Sequence, residues 1–237
     1  MLDTWGDRVI AISDAVKDHL KRDLGVAERR ISVIYNGIDG PSFASGYPEE
    51  EIEKIKRSFD VCGAPVVGTI GRLSSVKGQK YLVEAMAAII SKYRNAKMVI
   101  VGDGPEKEAL EALAKSLGID GSVRFVSSVL DTGRVLSIFD VFVLPSVKEG
   151  LGIALLEALA AGRACVASDV GGIGDIIRPS GCGVLVDARD PGAIAEAVTA
   201  LLADPARRKE LGEKGRKAVR ETFAVGTMAG KVAAGYK

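Results

Sequence analysis

The sequence is short of the residues from which most catalytic and metal-binding motifs are built. Histidine occurs once, at His19, and there is no Ser/His/Asp set, no HExxH and no Walker A loop. No Asp-x-Asp cluster offers a metal–diphosphate clamp. The three cysteines, Cys62, Cys165 and Cys182, lack CxxC or metal-ligand spacing, and their odd count suits a reducing compartment. Aromatic residues make up 5% of the 237, and the formal net charge is +1. That balance gives no reason to expect a nucleic acid or an anionic membrane surface as partner. No apolar stretch is long enough to span a bilayer and no secretory signal stands at the start, so the expected location is cytoplasmic.

Alanine, valine, leucine and glycine are plentiful instead, as in parallel strands wrapped by helices. The length suits one large α/β domain, or one domain plus a fragment. Strands are expected at Val66–Ile70, Met98–Val101, Val123–Val126, Val141–Leu144, Ala164–Ala167 and Val184–Val186. Helices are expected near Gln79–Lys92, Glu106–Leu117, Thr132–Phe139, Ile153–Ala160, Gly172–Ile177 and Gly192–Leu202, with a charged helix over Pro205–Arg220. The alternation predicts an α/β fold with a doubly wound, parallel, six-stranded sheet. Upstream, Val9–Ile12, Asp14–Leu24 and Ser32–Tyr35 read as a strand, a helix and a strand, too little for a separate core. Gly40–Pro48, rich in glycine, proline and serine, reads as a linker.

The most telling segment is EGLGIALLEALAAG (Glu149–Gly162). Glu157 sits in an otherwise apolar helix, where a carboxylate is costly unless something pairs with it. Glu149 falls in the loop between the strand Val141–Leu144 and that helix, at the sheet edge where open α/β folds bind ligands. Two carboxylates so placed can each take hydroxyls of a polyol.

Glu149 and Glu157 form an E-x7-E pair, which resembles the signature of retaining glycosyltransferases of the GT-B fold, glycosyltransferase family 4 (group 1). GTIGRLSSVKGQKYLVEA (Gly68–Ala85), MVIVGDGPEKEAL (Met98–Leu110) and VASDVGGIGDII (Val166–Ile177) follow that family's order and spacing. VIAISDAVKDHL (Val9–Leu20) and ISVIYNGID (Ile31–Asp39) look like its interdomain segment, so the resemblance covers nearly the whole chain. It implies a C-terminal, Rossmann-like donor-binding half, with 1–47 as the tail of the N-terminal acceptor domain and hinge, and 48–237 as the nucleotide-sugar-binding domain. The acceptor domain itself is missing, so the isolated chain is expected to turn over poorly.

The resemblance also implies roles. Arg72 and Lys77 would neutralise the leaving diphosphate, a planar fork and a point charge respectively. Gly71, Gly150, Leu151 and Gly152 would offer backbone at a helix start. Glu157 would take the ribose hydroxyls, Glu149 the transferred sugar or the reacting centre, and Val129 would mark the backbone that holds the base. The implied reaction is transfer of a hexosyl unit from a UDP- or GDP-sugar to an acceptor hydroxyl, with retention and without a metal or other cofactor. The acceptor, whether sugar, lipid or polysaccharide, is unnamed, and a peripheral membrane association of the full-length protein stays open. Departures from the family pattern are Leu151 for an aromatic, Ser127 near a usual glycine, and Gly174–Asp175 where the family has Pro-Glu. His19 reads as a helix residue rather than a catalyst. Two other readings stand beside this one: a GT-B relative such as a sugar-nucleotide epimerase or a phosphorylase, and a non-catalytic nucleotide-binding module. Lys107 occupies a glycine position of GxGxxG, which disfavours nicotinamide binding.

Overall fold

A computed structural model describes residues 7–235; the first six residues of the expected N-terminal segment lie outside that range. The chain begins with a small parallel unit, β1 (Val9–Ala11), α1 (Asp14–Arg22) and β2 (Ile31–Val33). It buries its own cluster of Ala11, Leu20 and Val26. The expected linker contains a helix, α2 (Gly40–Ala44), with Pro41 in its first turn, where proline's fixed φ and missing N–H cost nothing. A second helix, α3 (Glu49–Ser58), follows with three glutamates at its positive end. α2 corrects the reading of a plain linker over Gly40–Pro48: it packs on later helices rather than merely spanning.

Beyond them comes the alternation expected from the sequence: β3 (Val66–Ile70), α4 (Gln79–Lys92), β4 (Lys97–Val101), α5 (Lys107–Ser116), β5 (Val123–Val126) and α6 (Thr132–Leu136). Then follow β6 (Val141–Leu144), α7 (Ile153–Ala160), β7 (Ala164–Ser168), α8 (Ile173–Ser180), β8 (Val184–Val186) and α9 (Pro191–Ala203). Two helices end the chain, α10 (Pro205–Thr222) and α11 (Val225–Gly235). The six strands β3 to β8 are all parallel, in the order β5-β4-β3-β6-β7-β8. Every residue of β3, β6 and β7 is buried, which is why they read as unbroken apolar runs. Gly68 in β3 is dictated by packing: a Cβ there would lie 2.2 Å from the Phe139 ring.

Each face of the sheet carries its own core. One gathers Leu155, Leu156 and Leu159 of α7 with Ile173, Ile176 and Ile177 of α8. The other gathers Leu82, Met86 and Ile89 of α4 with Ile194 and Val198 of α9. The charged α10 is solvated on one side only. Its Leu211, Gly212 and Gly215 are buried, and a Cβ at Gly212 would meet Gly162 O at 2.2 Å, so the helix lies close against the end of α7. Between the first unit and α2, Ile38 N donates to Phe223 O (2.9 Å) and Val225 N to Ile38 O (3.0 Å). The chain's last described helix thus returns to its first unit, where Arg8 Nη1 donates to Gly235 O at 2.8 Å.

Candidate active site

The loops after β3 and β6 leave adjacent strands at the point where strand order reverses, the crevice in which open α/β sheets bind ligands. The first loop is zipped to its neighbour. Gly71 N donates to Val101 O (2.9 Å), Leu73 N to Asp103 O (2.9 Å) and Glu106 N to Leu73 O (3.2 Å). This close approach explains the glycines of GDGP: a Cβ at Gly102 would stand 2.0 Å from Gly71 O, and one at Gly104 would stand 2.1 Å from Leu73 O. Arg72, exposed on this loop, has no ion-pair partner among the described residues. Its carbonyl accepts from Gln79 Nε2 at 3.0 Å, so the buried amide of Gln79 ties the two ends of the loop together.

Lys77 and Glu149, 72 residues apart in sequence, meet here: Lys77 Nζ donates to Glu149 Oε2 at 2.6 Å. Ser146 Oγ donates to the same oxygen at 3.2 Å. Gly78 makes the meeting possible. Its φ is +66°, and a side chain there would strike Pro145 O at 2.1 Å. Gly152 starts α7 with φ +100° and offers no side-chain cap to the N–H groups at the start of that helix, where the helix dipole favours an anion. Leu151, by contrast, is 1% exposed and packs in the core; only its backbone is available to a ligand.

Glu157 lies just over one turn into α7, half-buried. Its partner is Thr132, whose Oγ1 donates to Glu157 Oε2 at 3.1 Å. No cation is paired with it among the described residues. Burial pushes its carboxyl above the usual carboxylate range, and the Thr132 hydroxyl offsets this only in part. Val129 is half-buried on the loop after β5, packed against the core. That loop is held by Asp103, whose Oδ2 accepts from Ser128 N at 2.9 Å; this N–H holds the Asp103 carboxyl below its usual range.

The first unit closes one side of the site. Ser13, fully buried, donates from Oγ to Gly150 O (2.7 Å) and caps α1 by accepting from Val16 N (3.1 Å). Asp175 Oδ2 accepts from Asp14 N at 2.9 Å. The observed work of Asp175 is therefore to pin α1 to α8; burial pushes its carboxyl up, with the Asp14 N–H working against that. Between α1 and the two loops lies a cleft of about 430 Å³. His19 lines it, although nothing in the local sequence marks it out, with Nδ1 2.5 Å from Asp23 Oδ2. Thr132, Asp103 and Ser13 are likewise positions that motif reading passes over, because each acts on a residue at least 25 positions away.

Residues 51–218 match the family of glycosyl transferases group 1. The chain belongs to it. Residues 2–40 match Glycosyltransferase Family 4. An uncharacterized glycosyltransferase of Methanocaldococcus jannaschii is 35% identical over 233 residues, 97% of this chain and 60% of that protein. The N-acetyl-alpha-D-glucosaminyl L-malate synthase of Bacillus anthracis is 30% identical over 218 residues, 92% of this chain and 56% of that enzyme. The Anabaena protein HepE, solved in complex with UDP and glucose, is alike in fold: TM-score 0.91 at 24% identity, over 98% of this chain and 63% of that one. This group 1 chain thus spans less than two thirds of the length of these relatives. Its sheet, with helices on both faces, is the fold of GT-B glycosyltransferases.

Proposed function

We propose that this chain is the donor-binding half of a retaining hexosyltransferase that uses a nucleoside-diphosphate sugar. In this reading Arg72, Lys77 and the open N-terminus of α7 receive the diphosphate, with Gly71, Gly150, Leu151 and Gly152 contributing backbone only. Glu157 and its Thr132 neighbour take the ribose diol, the backbone at Val129 takes the base, and Glu149 faces the transferred sugar. During transfer the bond from the anomeric carbon to the diphosphate oxygen breaks, and a bond to the acceptor oxygen forms on the same face. The acceptor's proton passes to the leaving diphosphate, whose growing charge Arg72, Lys77 and the helix end stabilise. The facing acceptor domain would be contributed by residues outside this chain.

What supports the reading is the convergence of Lys77, one of the two cations on the loop after β3, and the first carboxylate of E-x7-E on a single 2.6 Å contact at the sheet's switch point. A carboxylate and an ammonium held this way are ready to exchange partners, the lysine to a phosphate and the glutamate to a sugar hydroxyl. Calorimetric titration of the chain with UDP, GDP and ADP, each without metal, tests it. Saturable binding of one nucleotide is expected and names the base; heat from none of the three removes the preformed donor site.

A further inference from the structure

Among the described residues two buried side-chain polar atoms lack a hydrogen-bond partner, Gln79 Oε1 and Ser168 Oγ. Gln79 is the sharper case: it is 3% exposed and stands at the foot of the loop that carries Arg72 and Lys77. It is the first residue of α4, following Gly78, which gives that helix no side-chain cap. Its amide reaches back across the loop instead. Nε2 donates to Arg72 O at 3.0 Å, while the oxygen of the same amide has no partner. A buried acceptor left unpaired costs stability, which offsets what the single bond from Nε2 contributes. A leucine of similar volume would fill the space without that loss. The core gains little from an amide here.

What the amide does hold is one peptide unit. The carbonyl of Arg72 accepts from Gln79, and the N–H of Leu73, at the other end of the same planar unit, donates to Asp103 O at 2.9 Å. Both ends of the unit that follows Arg72 are therefore gripped. Before Arg72 stands Gly71, with φ +155°, a residue that restrains its neighbour little. The Arg72 side chain is exposed and held by no ion pair among the described residues, so its direction is set by its own backbone. We propose that Gln79 is a positioning residue for the diphosphate: by fixing the Arg72 peptide it aims the Arg72 guanidinium at the phosphates. The inference rests on the donor-half reading. It adds a buried residue that acts through Arg72 rather than by touching the nucleotide.

Gln79→Leu is compared with the unmodified chain by calorimetry, using UDP with UMP and GDP with GMP, and by thermal scans without nucleotide. Expected is a Tm close to that of the unmodified chain, with the preferred nucleoside diphosphate weakened about tenfold and its monophosphate unchanged. A merely loosened site would weaken both alike. In an Arg72→Ala background, Gln79→Leu is expected to cost nothing further, because the residue it acts through is already gone. The inference is overturned by an unchanged diphosphate affinity, by an equal loss of mono- and diphosphate, or by a Gln79→Leu effect that persists in full beside Arg72→Ala. Gln79→Met, unbranched like glutamine, repeats the test if the leucine variant does not fold. Failure of both to fold shows that the amide serves the fold, and overturns the inference as well. An unmodified chain that binds neither UDP nor GDP rejects the donor reading itself and this inference with it. Diphosphate binding that survives Gln79→Leu rejects this inference alone.

Discussion

Glu157 is a half-buried carboxylate with one hydroxyl for company, and it stands in a helix whose neighbours are leucine and alanine. Its raised pKa means that the folded chain holds the proton more tightly than the unfolded chain does. The associated stability is therefore present below the ordinary carboxylate range and is lost as pH rises through the raised value. Glu157→Gln is expected to raise the Tm at pH 7, with the gain vanishing near pH 4 in parallel thermal scans. Glu157→Ala should weaken nucleotide binding by about 1.5–3 kcal/mol, measured by calorimetry. Unchanged affinity in a folded mutant would remove the ribose role. Asp103 works in the opposite sense. Its carboxyl is held low by the Ser128 N–H, so its contribution is present above the ordinary carboxylate range and lost as pH falls through the lowered value. Asp103→Ala should leave the fold intact and speed hydrogen exchange at the Ser128 amide; exchange as slow as in the unmodified chain would show the loop is held by something else.

Among the elements, the buried strands were readable because a parallel sheet covered on both faces needs continuous apolar runs. The helices α4 and α7 were readable to the residue, α7 through its apolar run and Gly152, α4 through the glycine before it and its apolar face. Three helices were not. α2 has five residues and the composition of a loop; α3 buries only Ile55 among a run of charges; α11 buries nothing. Their sequence patterns are weak because packing asks so little of them. The loops behave differently, since single glycines govern them. Gly171 has φ +52°, and a Cβ would fall 1.7 Å from Glu149 O. Gly171→Ala should therefore cost about 2–4 kcal/mol in chemical denaturation and displace Glu149 from Lys77. A mutant as stable as the unmodified chain would mean the loop shifts freely, and the preformed pair would lose its meaning.

At the scale of the whole molecule, the first unit and the large sheet are fastened at a few points, and Ser13 is the most economical of them. One hydroxyl caps α1 and grips the carbonyl of Gly150, inside the E-x7-E loop. Ser13→Ala should destabilise the chain by about 1–2 kcal/mol and weaken nucleotide binding as well, because the loop that carries Glu149 loses an anchor. A stability loss with unchanged nucleotide affinity would separate the two roles. Ligand binding gives the converse: nucleotide at a hundredfold its Kd should stabilise the chain by about 2.7 kcal/mol, visible as a rise in Tm, if the site belongs to the folded state alone.

The sequence by itself determined the six strands and the helices that wrap them, and it marked a two-cation loop and an E-x7-E segment without bringing them together. These follow from local patterns: runs of β-branched residues, glycines where backbone turns, and charge where an apolar helix should have none. Only the tertiary structure decided which side chains share a space. Ser13 meets Gly150 from 137 residues away and Asp14 meets Asp175 from 161, while His19 and Lys148 line one cleft from different parts of the chain. Each of these residues is locally ordinary, a helix cap, a surface acid, a solvated base. What distinguishes them is a neighbour brought by the packing of the first unit on the sheet edge, and no periodicity along the chain records that neighbour.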